Sequence, residues 1–215
     1  MTSTKDFYKI LIVGASGKGK TYSFRNMNRE TTALINIEDK PLPFFEDFKF
    51  HKRPDIITKI KQVIEEANTN DNIDCIVIDS LSAYMDILIF EARKRYSGWD
   101  IWSYYNKELA SFFNYIKKIK KEVFITGHYE WLQTEEGAKE RRFKSKGKEW
   151  EGWVEKEFTM VLYCNSKFID KQFEYTFLTA SEDASAKCPP HIFDGTFEIE
   201  NDSNFVLEKI RHKLK

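Results

Sequence analysis

Residues 8–21 read Tyr-Lys-Ile-Leu-Ile-Val-Gly-Ala-Ser-Gly-Lys-Gly-Lys-Thr, a short apolar run that leads into Gly14-x-x-x-x-Gly19-Lys20-Thr21. That spacing is the signature of a phosphate-binding loop. A tight loop holds a polyphosphate by aiming successive backbone N–H groups at it, and Gly14, Gly17 and Gly19 allow the turns and the close approach. Ala15, Ser16 and Lys18 complete the loop, and Tyr22 follows it directly. Lys20 supplies a flexible point charge for the β- and γ-phosphates, and Thr21 a hydroxyl for Mg²⁺. A helix over residues 20–27 would point its positive end at the anion. The expected ligands are therefore ATP and Mg²⁺, held on residues 14–22.

Three further positions carry chemistry that such a loop needs. Residues 73–79, Ile-Asp-Cys-Ile-Val-Ile-Asp, form an apolar run closed by Asp79. A carboxylate there reaches Mg²⁺ as a Walker B residue does, or else caps the helix that starts at Ser80 and Leu81. Residue 80 is Ser, so the glutamate that many ATPases place directly after this aspartate is missing, and a base must come from elsewhere. Glu38 ends the run Ala-Leu-Ile-Asn-Ile and is the candidate that would polarise the attacking water; the adjacent Asp39 is the alternative. His128 lies just past the run at 122–127, where a polar side chain can sense the γ-phosphate and relay its loss to the loop that follows.

That loop has a pattern of its own. Between 139 and 148 the cations Lys139, Arg141, Arg142, Lys144, Lys146 and Lys148 face a lone Glu140, and Trp131, Phe143, Trp150 and Trp153 flank or interrupt them. Neutralised phosphates and stacked bases are what single-stranded nucleic acid asks of a protein, so Arg141, Arg142, Lys144, Lys146 and Lys148 are the candidate contacts. The competing reading is a solvated hairpin, or a loop that touches a neighbouring subunit.

The elements that must position these residues alternate. Strands are expected at 10–13, 33–37, 73–79, 122–127, 158–164 and 173–179. Helices are expected at 55–67, 81–96 and 102–121, with the polar stretch from 128 to 150 irregular. The tail from 204 reads as a short helix or an edge strand. Strands alternating with helices, with polar residues at strand ends, predict an α/β fold: a mainly parallel open sheet flanked by helices, its site at the carboxyl edge, with antiparallel strands possible at one side. One domain over 1–215 is expected.

Lys+Arg and Asp+Glu are equal at 34 each, so any electrostatic partner signal must be local. Cys75, Cys164 and Cys188 are widely separated, with no CxxC, which speaks against a disulfide framework or a zinc site and for a reducing compartment. The start of the chain is polar, and no run approaches the roughly 18 apolar residues of a membrane span. A soluble cytoplasmic protein without membrane contact is expected. Aromatic residues make up 15% of the chain and concentrate between 84 and 153, more than core packing alone requires.

Taken in order, Gly14 to Thr21, the run ending in Glu38, the run ending in Asp79-Ser80 and Phe-Ile-Thr-Gly-His128 resemble the RecA-like ATPase core. They are most similar to its short, single-domain phage members, related to the Sak-type single-strand annealing ATPases. The resemblance implies that Glu38 acts as the base and that His128 couples nucleotide to a DNA-binding loop. It implies a homo-oligomer, ATP hydrolysis in recombination, annealing or replication, a single-strand-binding protein as partner, and the host cytoplasm as location if the chain is phage-encoded. It also implies a basic finger acting in trans, for which Lys187 is the candidate. The chain departs from the family at Phe158-Thr159-Met160, where an aspartate usually stands. The alternatives are a small-molecule P-loop kinase and an ATP-dependent switch or adaptor without DNA binding.

Overall fold

The computed structural model describes residues 6–45, 47–133 and 137–213. The polar start at 1–5 and the last two residues of the tail lie outside them. The strands are β1 (Lys9–Val13), β2 (Thr32–Asn36), β3 (Phe50–Lys52), β4 (Cys75–Asp79), β5 (Glu122–Gly127), β6 (Tyr129–Gln133), β7 (Lys139–Phe143), β8 (Met160–Ile169), β9 (Gln172–Leu178) and β10 (Glu198–Glu200). The helices are α1 (Ile57–Thr69), α2 (Leu81–Arg95), α3 (Trp99–Lys118) and α4 (Ser203–Lys213).

Every residue of β1, β2, β4 and β5 is buried, which is why these strands read as unbroken apolar runs rather than alternating ones. They are the middle of an eight-stranded sheet in the order β10-β9-β8-β1-β5-β4-β2-β3. All neighbours from β8 to β3 pair parallel, whereas β8, β9 and β10 pair antiparallel at one side. The expected architecture, a mainly parallel open sheet flanked by helices with antiparallel strands at one side, is the one observed. β5 lies between the strand that feeds the phosphate loop and the strand that ends in Asp79, so three strand ends converge on one place.

Two apolar layers cover the sheet. Leu11, Val13, Ile35, Ile76 and Ile78 point to the side packed by α1, α2 and α3, and Ile10, Ile12, Leu34, Val77 and Phe124 to the side packed by Phe24, Met27 and α4. α1 buries Ile57, Ile60, Ile64 and Ala67, a single face at helical spacing. α2 begins where the Ser80 hydroxyl accepts a hydrogen bond from the Ala83 N–H at 3.2 Å, an N-cap, and carries Arg93, Lys94 and Arg95 in its last turn. Among the described residues no helix is long and apolar enough to cross a membrane.

The structure corrects two readings and decides the one left open for the tail. The helix expected over 20–27 is a single 3-10 turn, Thr21–Phe24. Ser and Asn disfavour helix here, and the Arg29 guanidinium takes the Met27 and Arg25 carbonyls at 2.6 and 2.5 Å, closing the turn on itself. The stretch after His128 is not irregular but the antiparallel hairpin β6–β7. Between Gly147 and β8 the chain makes two short 3-10 turns, Lys148–Trp150 and Val154–Glu157. Of the two readings for the tail the helix is the one observed, as α4, whose Ser203 hydroxyl meets Ser23 Oγ at 2.8 Å beneath the phosphate loop.

Candidate active site

The phosphate loop begins as the Gly14 N–H donates to the Gly127 carbonyl at 3.0 Å, which ties it to the end of β5. A Cβ at Gly14 would lie 2.8 Å from Cys164 Cβ, and the backbone at Gly19 has φ +89° with the Tyr175 ring against it. No other residue type fits those two positions without displacement. Because only one 3-10 turn follows, the loop N–H groups and Lys20, rather than a helix dipole, must supply most of the attraction for an anion. Lys20 is buried, and its Nζ rests on the Ala15 carbonyl at 3.0 Å. Burial pulls its ammonium below the ordinary lysine range, so an arriving phosphate would offset the cost of holding that charge.

Asp79 is 4% exposed. Thr21 Oγ1 donates to its Oδ2 at 2.7 Å, and Thr126 Oγ1, at the end of β5, donates to its Oδ1. Burial raises the carboxyl above its ordinary value, partly offset by those two hydroxyls. A hydroxyl and a carboxylate already in contact are the oxygen donors that Mg²⁺ prefers, so Thr21 and Asp79 fit the metal that the motif implies. The helix-cap alternative for Asp79 falls to its neighbour: Ser80 is the N-cap of α2. The Asp79–Ser80 peptide is cis.

Glu38 stands beside this pair because the Ile37 N–H donates to the Asp79 carbonyl at 2.6 Å. Its Oε1 accepts from Ser80 Oγ at 2.9 Å and its Oε2 from Lys40 Nζ at 2.7 Å. Burial alone would raise its pKa, but the bonds from Lys40 and Ser80 outweigh it and hold the carboxyl below its usual value. Glu38 and Asp39 are placed differently. Asp39 has φ +53° and pairs with Arg53 at 3.4 Å, whereas Glu38 faces the loop. His128 Nε2 lies 4.0 Å from Glu38 Oε1, and its backbone N–H donates to Ser82 Oγ at 3.1 Å. Burial, then the charge on Lys20, pull its imidazole below 6.5, so it is neutral near pH 7.

A cleft of about 590 Å³ joins these groups. Its lining includes Ser16, Gly17, Gly19, Lys20, Thr21 and Tyr22 of the loop, with Glu38, Asp79 and His128 opposite. Asn36, Lys40, Pro41 and Tyr175 also line it and are not among the residues expected there from sequence. Asn36 and Thr126 had a signal, since each is a polar residue closing an apolar strand; Lys40 and Tyr175 had none. Lys18 turns away, donating to Ser166 Oγ at 2.8 Å.

The basic segment divides. Arg141 pairs with Asp183 at 2.5 Å and lies over the Tyr129, Trp131 and Tyr163 rings. Arg142 pairs with Glu140 at 2.8 Å and Lys146 with Asp86 at 2.8 Å. Lys144 and Lys148 are exposed, and among the described residues neither side chain has an ion pair. Lys148 borders a groove with Trp99 and Trp102. Lys187 exchanges two backbone hydrogen bonds with Val161, at 3.0 and 2.8 Å, and does not line the cleft, so any action on nucleotide would have to be across subunits.

A family model described as an AAA domain matches residues 6–187. No curated protein matches the chain in sequence. Among solved structures, a KaiC-like protein from the hyperthermophilic archaeon Pyrococcus horikoshii OT3 is similar at 12% identity and a TM-score of 0.48, over 85% of this chain and 82% of that one.

Proposed function

Since the chain belongs to the AAA domain family, a class of P-loop ATPases, we propose that it binds Mg²⁺-ATP in the cleft at residues 14–22 and hydrolyses it to ADP and phosphate. The observation that carries this reading is the convergence of Lys20, the Thr21–Asp79 pair and Glu38 on one cleft. Mg²⁺, held by Thr21 and Asp79, would neutralise phosphate charge. Lys20 and the loop N–H groups bind and stabilise the charge that develops on the transferred group, Glu38 accepts the proton of the attacking water, and His128 senses the terminal phosphate. Glu38 is suited to the base role because its carboxyl is held ionised and still reaches the cleft.

The coupled output we propose is contact with single-stranded DNA, in recombination, annealing or replication, as the resemblance to the phage proteins suggests. A homo-oligomer, with Lys187 reaching a neighbouring site, belongs to the same reading. His128 is the last residue before β6, and the Lys144 N–H donates to the His128 carbonyl at 2.7 Å, so the nucleotide sensor and the basic hairpin share a backbone link. Lys139, Lys144 and Lys148 are exposed and, among the described residues, carry no ion pair; Trp99 borders a groove with Lys148, and the exposed Trp131 and Trp153 rings are further stacking surfaces. Arg141, Arg142 and Lys146 are engaged by Asp183, Glu140 and Asp86. The test is binding of a labelled single strand across a salt series. Lys144→Glu with Lys148→Glu should lower affinity and reduce the salt slope by roughly 1.4, two contacts at about 0.7 each; an unchanged affinity and slope would remove this hairpin from the site.

A further inference from the structure

Lys40 is the group in the cleft whose placement the hydrolysis scheme leaves unused. Asn36 Nδ2 donates to the Lys40 carbonyl at 2.8 Å, and the positive φ of Asp39 turns the chain so that residues 38 and 40 face the same way. The Lys40 side chain is 75% exposed, yet its ammonium sits on Glu38 Oε2 at 2.7 Å and lines the same cleft as Lys20, Thr21, Asp79 and His128. Its charge is felt across that cleft, contributing to the lowered values of Lys20 and His128. The water-polarising carboxylate therefore carries a cation as a neighbour while the cleft holds only protein groups.

An exposed ion pair on a long side chain contributes little and exchanges readily. A phosphate oxygen carries denser charge and makes shorter, stronger bonds to an ammonium. A nucleoside triphosphate seated on the phosphate loop would extend its terminal phosphate into the cleft that Lys40 lines with Glu38 and His128, whereas a diphosphate would end earlier. We propose that Lys40 is a terminal-phosphate cation supplied by the same chain, resting on Glu38 until a triphosphate draws it away and leaves the carboxylate to bind water. This inference rests on the ATPase reading and adds a residue and a discrimination to it. It makes the triphosphate itself the signal that arms the base, and it gives the cleft a reason to distinguish ATP from ADP without a neighbouring subunit.

The experiment is equilibrium binding of Mg²⁺-ADP and of a non-hydrolysable Mg²⁺-ATP analogue to the wild type, Lys40→Ala, Lys40→Arg and Lys20→Ala. Lys40→Ala should weaken the triphosphate analogue about tenfold, the loss of one charged hydrogen bond, and leave ADP within about twofold. Lys40→Arg, which keeps the charge, should retain the wild-type ratio of the two affinities within about threefold. Lys20→Ala should weaken both ligands. If Lys40→Ala weakens both equally or neither, or if Lys40→Arg behaves like the alanine variant, Lys40 is not a terminal-phosphate group and only this inference falls. If the wild type binds neither nucleotide, the ATPase reading falls with it.

Discussion

Replacing Glu38 by Gln separates catalysis from everything else this side chain does. The amide keeps an oxygen to accept from Ser80, now 2.9 Å from the carboxylate, and keeps the shape of the cleft wall. What is lost is the charge, and with it the pair to Lys40 at 2.7 Å. That pair is solvent-facing on the lysine side, so its loss costs at most about 1 kcal/mol, or roughly 2–4 °C in melting temperature for a chain of this size. Removal of a general base costs roughly 10²- to 10⁴-fold in rate, equivalent to about 2.7–5.4 kcal/mol of transition-state stabilisation. The variant should therefore bind Mg²⁺-ATP at least as well as the wild type, melt within a few degrees of it and release phosphate at least about a hundredfold more slowly. Calorimetric binding, a thermal melt and single-turnover phosphate release measure the three quantities. Native turnover in Glu38→Gln would remove this carboxylate as base; lost binding would mean that it positions the nucleotide instead.

Other consequences follow from the same geometry. Asp79 is buried and its pKa is raised, so its ionised form weakens the fold at pH above its folded-state pKa, and protonation toward pH 3.8 relieves it. Asp79→Asn should raise the melting temperature of the nucleotide-free protein by a few degrees, about 1 kcal/mol, while Mg²⁺-dependent nucleotide binding is lost; a lower melting temperature would contradict this. A Cβ at Gly127 would fall 2.1 Å from Phe143 Cε2, so Gly127→Ala should loosen the β6–β7 hairpin and cost about 1–3 kcal/mol, read in a denaturant melt. His128 has a pKa below 6.5, so turnover should be flat from pH 7 to 8 and its acid limb should lie below 6.5. A His128→Asn variant that keeps that limb unchanged would assign it to another group.

The parts of the site legible in the sequence are those whose chemistry is fixed by local spacing. Gly14 to Thr21 follows from the loop itself, Asp79 from the end of an unbroken apolar run, the mark of a buried parallel strand, and His128 from its place just past the next such strand. β8 ran five residues beyond its expected end at 164, since Asn165 to Ile169 leave the core and pair only with β9, so no burial pattern marks them. The hairpin was hidden for a related reason. Lys139 to Arg142 are charged and poor strand formers, and what makes them a strand is tertiary: Arg141 held by Asp183 and three rings, and the Phe143 N–H donating to Glu155 Oε1 at 2.7 Å. Lys40 and Tyr175 reach the cleft by turns and pairings that adjacent residues do not encode. The basic run was visible, but which of its charges are free was not, because Asp86 and Asp183 come from distant segments.

The most direct test of the central claim is steady-state release of phosphate from ATP by the purified chain, with Mg²⁺, with and without single-stranded DNA, beside the Lys20→Ala variant. The account predicts Mg²⁺-dependent turnover that single strands stimulate and that Lys20→Ala abolishes. Turnover absent under both conditions, or unchanged in Lys20→Ala, would contradict it.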